Sequence, residues 1–384
     1  MENVLYVLIG SFLGIISGLI PGIGNTVTLL IIFPLLFDLT INQIILIYIS
    51  LVSVSQYIGS IPSIFLGIPG EASSLPASKE GHKLSLRGYG NYAISSCAIG
   101  SFFGALISMV LFYLFLATFP NIFNNFDSLQ QAIFFIIVIS IIFLISNNLI
   151  ISCLLGGIGF FIASIGFSPI DNEKYFSFGI TNLEIGIPFF PVLVVFWVVP
   201  ELYKAWITTQ NTKLNQNFSK NKNDKIISHF KHWINHIGSS IRGTIIGFFC
   251  GLIPGLTTIA SSNISYSLEL IIQKKCNKYN ENGNMNCLIS SETGNNAGAF
   301  SCLLPLLILG IPIQPSETIL VDIATLKGYV FGFNNFSEEI LISTSLMFIL
   351  INFIGLIVAW PLAFVFNFIN KIELKYIYIL ISFI

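Results

Sequence analysis

The sequence predicts an all-α polytopic integral membrane protein built from two inverted-topology repeats with broken or re-entrant helices. Of the 384 residues, 54% are hydrophobic and 9% are charged. A water-soluble domain could not bury that much apolar surface, and the longest apolar runs reach the length of a membrane-spanning helix. The net charge of −1 gives no field that would attract nucleic acid, so no nucleic-acid partner is expected.

The repeat is visible in two copies of the pentapeptide Gly-Leu-Ile-Pro-Gly, at residues 18–22 and 251–255. Each copy begins with the last of three glycines at four-residue spacing, which places them on one face of a helix. These glycines are Gly10, Gly14 and Gly18 in the first copy and Gly243, Gly247 and Gly251 in the second. The two sets lie 233 residues apart, which indicates that one ancestral unit was duplicated.

A second motif follows each pentapeptide. Residues 62–69 read Pro-Ser-Ile-Phe-Leu-Gly-Ile-Pro, and residues 305–312 read Pro-Leu-Leu-Ile-Leu-Gly-Ile-Pro. This pair is displaced by 243 residues rather than 233, because the second half carries a longer polar loop between its two motifs. Both motifs therefore belong to the same duplicated unit.

The apolar segments divide the chain into an N-terminal transmembrane repeat, residues 1–206, and a C-terminal transmembrane repeat, residues 241–384. The polar linker between them, residues 207–240, lies in a stretch from Lys204 to Arg242 with seven basic residues and one acid. The positive-inside rule predicts a cytoplasmic linker. The apolar segments predict roughly eight to eleven crossings and lie at about 4–38, 41–69, 92–119, 131–146, 149–167, 187–206, 241–272, 287–325 and 341–368.

The flanking charges predict opposite insertion of the two repeats. No Lys or Arg precedes the first apolar segment, whereas the second repeat begins directly after the basic linker. Inverted repeats require an odd number of crossings between equivalent points. Counting each interrupted segment once gives six crossings before the linker, so we expect residues 4–38 to form a re-entrant hairpin or a double pass.

Four helix breaks at matched positions predict one enclosed binding site. Pro removes a backbone donor, and unpaired backbone at membrane depth survives only inside protein or beside a wet cavity. A half-helix that starts at such a break directs its amide groups at a bound anion. The alternative is that these small residues only let helices pack closely. The predicted substrate-binding residues are Gly22, Gly24, Asn25, Thr26, Thr28, Gly70 and Ser73 in the first repeat, and Pro254, Gly255, Thr257, Thr258 and Ser261 in the second.

A second group of residues is predicted to couple a cation: Glu71, Glu292, Asn295 and Asn296. Amide oxygens can coordinate a cation, and carboxylates inside a membrane also relay protons. The expected coupling ion is Na⁺ or H⁺, and no other cofactor is expected. Two structural alternatives stay open, in which Glu71 only interacts with a helix dipole and the asparagines only hydrogen-bond between helices.

The sequence carries no signature of an enzyme, and no catalytic residue is predicted. The four histidines, His82, His229, His232 and His236, fall in segments that we expect to be polar loops. That placement leaves no histidine inside the membrane for hydrolytic or haem chemistry. The nearest approach to an ATP-binding loop, residues 238–244, lacks the lysine of that motif.

In their order along the chain, these motifs resemble the large permease subunit of the tripartite tricarboxylate transporters, including its shorter archaeal-type relatives. The stretches that carry the resemblance extend through most of the sequence. They read Gly-Leu-Ile-Pro-Gly-Ile-Gly at 18–24, Leu-Gly-Ile-Pro-Gly-Glu-Ala-Ser-Ser at 66–74, Glu-Gly-His-Lys at 80–83, Arg-Gly-Tyr-Gly at 87–90, Phe-Gly-Ile-Thr-Asn-Leu-Glu-Ile-Gly-Ile at 178–187, Gly-Leu-Ile-Pro-Gly at 251–255, Glu-Thr-Gly-Asn-Asn-Ala at 292–297 and Leu-Gly-Ile-Pro at 309–312.

The resemblance implies a secondary active, cation-coupled permease for a tricarboxylate or dicarboxylate, located in the cytoplasmic (inner) membrane and working by alternating access. It also implies two partners, a small membrane subunit and an extracytoplasmic solute-binding protein, and a homodimer is one expected assembly. Two other classes stay open: a passive channel or pore for small anions, and a structural scaffold or receptor.

Overall fold

The computed structural model describes residues 2–20, 23–118, 148–167, 173–184, 186–187, 226–253, 256–332 and 338–369, and the single positions 133, 136, 140, 192, 195 and 203. Over these residues the protein is helical, apart from one pair of two-residue strands. Three of the described helices are long and apolar enough to cross a membrane, at residues 41–66, 90–115 and 342–363. The predicted fold class, an all-α membrane protein, is confirmed.

The first repeat begins with two helices that are separated at the first pentapeptide. Its elements are α1 (Glu2–Leu19), α2 (Gly24–Ile32), a 3₁₀ turn (Phe33–Leu36), α3 (Ile41–Leu66), a second 3₁₀ turn (Ala72–Ser74), a π-helical turn (Ala77–Gly81), α4 (His82–Leu86) and α5 (Gly90–Thr118). Thr40 starts α3 through a capping box, since its backbone amide donates to Gln43 Oε1 at 2.9 Å and its hydroxyl accepts from the Gln43 amide at 3.4 Å.

The second repeat has a similar order of helices, preceded by one additional helix. These are α8 (Ile226–Ile234), α9 (Ile237–Leu252), α10 (Thr258–Lys275), α11 (Met285–Leu309), α12 (Pro315–Leu326) and α13 (Glu338–Ile369). Helix α8 and the start of α9 fall within the stretch predicted as a linker. Asn284 caps α11 by accepting a hydrogen bond from the Cys287 amide at 3.1 Å.

The chain forms two compact units, residues 1–125 with 202–384, and residues 126–201. In the second unit the structure describes α6 (Leu149–Ala163), the antiparallel strands β1 (Gly166–Phe167) and β2 (Lys174–Tyr175), and the short helix α7 (Thr181–Glu184). Within this unit, Lys174 Nζ lies 2.6 Å from Glu184 Oε2. The candidate site described below belongs to the first unit.

The glycine rows allow the first and third helices of each repeat to touch through their backbones. A Cβ atom on Gly10 or Gly14 would lie 2.4 or 2.7 Å from the carbonyl oxygens of Ile47 and Leu51 on α3. Gly243 and Gly247 meet Ser290 and Gly294 of α11 in the same way, each at 2.2 Å. The partner carbonyl comes 37 residues after the glycine in the first repeat (10 to 47) and 47 residues after it in the second (243 to 290). The two helix pairs pack in the same way, so the ten additional residues lie in the segment between the packed positions.

Both third helices end at an equivalent glycine. Gly67 (φ 71°) terminates α3 and Gly310 (φ 71°) terminates α11, and this left-handed backbone favours glycine. Each helix contains one proline, Pro62 or Pro305, in its last two turns. A capping box then starts the next turn in each repeat. The second motif is therefore a helix stop followed by a new helix start, as predicted.

Helix α3 lies at the centre of the first unit, and its apolar window is wholly buried. It packs against α1, α5, α11 and α13. The contacts between repeats are reciprocal: the 3₁₀ turn 72–74 of the first repeat contacts α10 and α11 of the second, while α12 of the second contacts α2 and α3 of the first. The segment after each second motif therefore packs against the other repeat.

Candidate functional site

One side-chain hydrogen bond recurs at equivalent positions of the two repeats. The Asn25 amide Nδ2, at the start of α2, donates to Glu71 Oε1 just after α3. Displacement by 233 residues carries Asn25 to Thr258, and displacement by 243 carries Glu71 to Gln314. Thr258 Oγ1 donates to Gln314 Oε1 at 3.4 Å. In both repeats, this bond ties the half-helix after the break to the segment after the second motif.

Glu71 and Asn25 each accept a further hydrogen bond from a serine. Ser55 Oγ of α3 donates to Glu71 Oε2 at 3.3 Å, and Ser17 Oγ of α1 donates to Asn25 Oδ1 at 3.3 Å. The backbone comes close here because Gly70 has no side chain: a Cβ at this position would lie 2.4 Å from the Gly18 carbonyl oxygen. Helices α1, α2 and α3 therefore all contribute side chains to the network around the Glu71 carboxylate.

In the second repeat, the carboxylate stands three residues later, at Glu317 rather than at Gln314. Glu317, equivalent to Ser74, accepts from the backbone amides of Ile313 and Gln314 at 2.6 and 3.0 Å. Tyr48 of the first repeat donates its hydroxyl to Glu317 Oε1 at 3.4 Å. Glu317 is 1% exposed, so a negative charge on its carboxylate is stabilised by these neutral donors rather than by water.

The two repeats are joined by polar side chains of α11. Asn295 Nδ2 donates to Ser73 Oγ at 3.1 Å, which links α11 to the first repeat directly beside Glu71. One turn earlier, Glu292 Oε2 accepts from Ser60 Oγ of α3. Asn296 Nδ2 donates to Ser101 Oγ of α5 at 2.9 Å. We call these residues, together with Asn25 and Glu71, the polar path.

Several predicted site residues take part in this path, and others do not. Asn25, Glu71, Ser73, Glu292, Asn295 and Asn296 are brought together, with Thr258 at the equivalent bond. Thr26 is buried, Thr28 Oγ1 donates within its own helix to the Gly24 carbonyl at 2.9 Å, and Ser261 donates to the Thr257 carbonyl at 3.3 Å. Gly22, Pro254 and Gly255 lie outside the described residues.

The sequence analysis did not identify several partners of the predicted residues: Ser17, Tyr48, Ser55, Ser60 and Ser101. Their roles depend on contacts between helices that are far apart in sequence. One signal was available on α3, where Ser53, Gln56 and Ser60 share a face at helical spacing within an otherwise apolar segment. Gln314 and Glu317 follow the repeated second motif directly, as Glu71 and Ser74 do in the first repeat.

A second contact between the repeats lies at Glu80, in the π-helical turn. Glu80 is 1% exposed. Its Oε1 accepts from the hydroxyls of Tyr266 and Tyr279 at 2.9 and 3.2 Å, and its Oε2 accepts from the Asn284 amide at 2.9 Å. Burial, with the nearby Glu80 charge, raises the pKa of Tyr279 to about 12, so its hydroxyl stays a donor at neutral pH. We call these four residues the Glu80 clasp.

Two lysine side chains, one from each repeat, also connect the repeats to each other. Lys83 Nζ donates to the Glu281 carbonyl at 3.0 Å, in the loop between α10 and α11. Lys327 Nζ donates to the Phe37 carbonyl at 2.5 Å, in the loop between α2 and α3. Each repeat therefore contacts a loop of the other repeat through one lysine side chain. The Glu80 clasp adds further hydrogen bonds beside the Lys83 contact.

The prediction that the histidines lie in polar loops is wrong. His229 and His232 belong to α8, and His229 is 2% exposed. Ser95 Oγ lies 2.7 Å from His229 Nδ1, and Tyr92 of α5 stacks on both rings. The error arose because α8 is amphipathic and buries its histidine face against α5. A cavity of about 430 Å³ with apolar walls lies beside His229, between α5, α8 and α13.

Comparison with known proteins assigns the chain to a family. A family model described as the tripartite tricarboxylate transporter TctA family matches residues 4–384. An uncharacterized 52.8 kDa protein in the TAR-I ttuC' 3' region of Agrobacterium vitis is 26% identical over 339 residues, which cover 86% of this chain and 65% of that relative. An uncharacterized protein of Methanocaldococcus jannaschii is 35% identical over 111 residues, 29% of this chain and 28% of the relative.

The chain spans less than two thirds of the length of these curated relatives. No solved structure matches it. The family model nevertheless covers nearly the whole sequence, including every motif of the polar path described above. This protein therefore belongs to the tripartite tricarboxylate transporter TctA family, a family of membrane transport proteins.

Proposed function

We propose that the protein is a secondary active permease that moves a small organic anion, a tricarboxylate or dicarboxylate, across the cytoplasmic membrane. The observation that carries the proposal is the recurrence of the Asn25–Glu71 bond as Thr258–Gln314, with each bonded segment packed against the other repeat. Such paired broken helices are typical of transporters with a central site. Family membership supports the same class of function.

The anion would bind between the first turns of α2 and α10. Backbone amides at a helix start carry partial positive charge, which favours a carboxylate. Asn25, Thr26 and Thr258 are buried polar side chains in those turns. Gly24 (φ 56°) lets the backbone approach a ligand closely.

Cation coupling follows from the negative charge already inside the protein. Glu292 is fully buried, and Glu71 lies on the same polar path as Asn295 and Asn296. An organic anion entering beside these carboxylates would be repelled unless a cation entered with it, since uncompensated buried charge is costly. We therefore propose symport with a cation that is held by Glu71, Glu292, Asn295 and Asn296.

Alternating access is supported by the course of the two equivalent helices α3 and α11. Ser60, near the end of α3, contacts Glu292 near the start of α11. Tyr48, twelve residues earlier, contacts Ser316 and Glu317 beyond the end of α11. The two helices are therefore antiparallel, as expected if the repeats have inverted topology and rock against each other.

The partners of the permease are also part of the proposal. A small membrane subunit and an extracytoplasmic solute-binding protein are the components that the tripartite family name suggests, and a homodimer is a third assembly to test. Co-purification of each expressed partner with this chain, in a mild detergent, would detect the first two. Cross-linking in native membranes would detect the third.

Uptake by proteoliposomes tests the transport function. We expect labelled citrate or a smaller dicarboxylate to accumulate above its outside concentration when a sodium or proton gradient is imposed, and to saturate with concentration. The runner-up, a passive anion channel, predicts equilibration without accumulation and single-channel currents in a planar bilayer. Absence of any gradient-driven carboxylate uptake would overturn the proposal. Thr325→Ala, which changes an exposed side chain on α12, should transport like the wild type.

A further inference from the structure

Two polar stripes face each other between α3 and α11. Ser53, Gln56 and Ser60 lie on one face of α3, because they are spaced at i, i+3 and i+7. Glu292 and Asn296 lie one turn apart on α11, with Asn295 beside them. All six side chains are at most 2% exposed. Polar groups buried this deeply are normally hydrogen-bonded.

Several oxygens of these stripes have no such bond. Four amide and carboxylate oxygens lack a hydrogen-bond partner within the described part of the chain: Gln56 Oε1, Glu292 Oε1, Asn295 Oδ1 and Asn296 Oδ1. The hydroxyl of Ser53 and Nε2 of Gln56 also lack one there. Asn295 and Asn296 both use their amide nitrogens in bonds to serines, so it is their acceptor oxygens that stay without a donor. We call Gln56, Glu292, Asn295 and Asn296 the oxygen cluster.

The antiparallel course of α3 and α11 brings the members of the oxygen cluster to neighbouring levels. Ser60 Oγ donates to Glu292 Oε2, which fixes one point of contact. Gln56 lies one turn before Ser60, and Asn296 lies one turn after Glu292. In an antiparallel pair, these two steps go in the same direction, so Gln56 and Asn296 belong to the same next level of the helix pair.

The number of acceptors distinguishes a proton from a metal ion. A proton bound to Glu292 would turn one oxygen into a donor and would satisfy one neighbouring acceptor. The remaining oxygens of the cluster would keep the cost of burial without a partner. A hard metal cation coordinates several carboxylate and amide oxygens at once. Glu71 is bonded to Asn25 and lies outside the cluster, so Glu292 is its one carboxylate. A single carboxylate balances a single positive charge, which favours a monovalent over a divalent ion.

We infer that the oxygen cluster is a binding site for a dehydrated monovalent metal cation, with Na⁺ the probe of first choice, and that Gln56 is one of its ligands. The inference rests on the cation coupling proposed above and assigns the coupling ion as a metal rather than a proton.

Binding is tested on the purified full-length protein in detergent, without substrate. The thermal unfolding midpoint is measured while NaCl replaces choline chloride at constant ionic strength near neutral pH, with LiCl and KCl in parallel. A cation that binds the folded state raises the midpoint saturably. We expect saturable stabilisation by Na⁺, and an apparent affinity about tenfold weaker or worse in Gln56→Ala and Asn296→Ala, since each removes a ligand to a charge. Thr344→Ala, a buried hydroxyl on α13, should keep the wild-type affinity.

Gln56→Glu tests the charge argument in a variant of nearly unchanged size. A second carboxylate should shift the preference toward a divalent cation, with Ca²⁺ as the probe. No cation-dependent stabilisation of the wild-type protein would overturn the inference, and wild-type Na⁺ affinity in Gln56→Ala would overturn the assignment of that ligand. Because binding is measured without transport, uptake without Na⁺ binding overturns only this inference, and Na⁺ binding without uptake overturns only the proposed function.

Discussion

The Asn25 amide donates a hydrogen bond to Glu71 across the start of α2 and the end of α3. The charged member of this pair has a neutral counterpart in the second repeat, where Thr258 donates to Gln314. The duplicated unit has therefore kept the connection while changing its charge. One half of the site is acidic at this level and the other half is not.

Removing the charged bond should reduce transport more than removing the neutral one. A hydrogen bond to a charged group contributes ~1.5–3 kcal/mol, so we expect Asn25→Ala to lower the initial uptake rate about tenfold or more. Thr258→Ala should cause a smaller loss because its acceptor is an amide. Both rates are measured in proteoliposomes that contain equal amounts of folded protein. Equal losses in the two variants would contradict the asymmetry.

The glycine rows should tolerate no side chain where helix backbones touch. Gly14→Ala and Gly247→Ala would each place a Cβ within 2.7 Å of a backbone carbonyl oxygen, and forcing extra carbon into packed contacts costs ~1–3 kcal/mol. We expect a lower melting temperature and less monodisperse protein on size-exclusion chromatography. Gly157→Ala is the matched control, because nothing in the described structure lies within 4 Å of its Cβ position. A stable Gly247→Ala variant would refute the packing argument.

The Glu80 clasp should control access to Cys287, which is buried and lies at the start of α11. Replacing Glu80 with Ala removes the acceptor of three hydrogen bonds. In a background with the exposed Cys153 and Cys276 changed to Ser, we expect Glu80→Ala to speed maleimide labelling of Cys287 several-fold. Glu281→Gln changes an exposed carboxylate nearby and should label like the parent. Unchanged protection in Glu80→Ala would show that the clasp does not hold this junction closed.

Stability should fall in mildly acidic solution because of His232. Burial, and next the charges of His236 and His229, lower the pKa of His232 from its ordinary 6.5. The folded state thus favours neutral His232, so its contribution is present above the ordinary pKa and is lost as pH falls through the lowered one. Melting temperatures measured across this range should decrease less in His232→Gln than in the wild type. Asn235→Ala, an exposed neighbour, should follow the wild-type curve.

The local features of the fold were predictable because they depend on short sequence patterns. The four-residue spacing of Gly10, Gly14 and Gly18 defines a helix face, and Gly67 and Gly310 end helices because they adopt a left-handed backbone. The same reasoning identified Asn25 and Thr258 among the polar residues that follow a break. Their hydrogen-bond acceptors could be located only to a general region, since Glu71 and Gln314 lie 46 and 56 residues further along the chain.

Contacts that join distant segments were not predictable from one sequence. Glu80 is bonded to Tyr266, 186 residues away, and no local pattern marks either residue as a partner of the other. Gln56 was missed for another reason: it is a single amide in a long apolar run, and its importance lies in the absence of a described partner. His229 was misassigned because hydropathy averaged over the linker hides a short amphipathic helix.

The two lysine contacts hold two junctions between the repeats, here called ends, with unequal numbers of hydrogen bonds. Lys327 alone holds Phe37 at one end, whereas Lys83 is reinforced by the Glu80 clasp at the other. If each end opens in turn, the weakly held end has the lower opening barrier and the larger resting population. In the cation-coupled cycle proposed above, the ion gradient would set the direction of net transport, and the turnover rate would be limited by one end only. The ten extra residues of the second repeat, which include part of the clasp, would then determine which half of the cycle is slow.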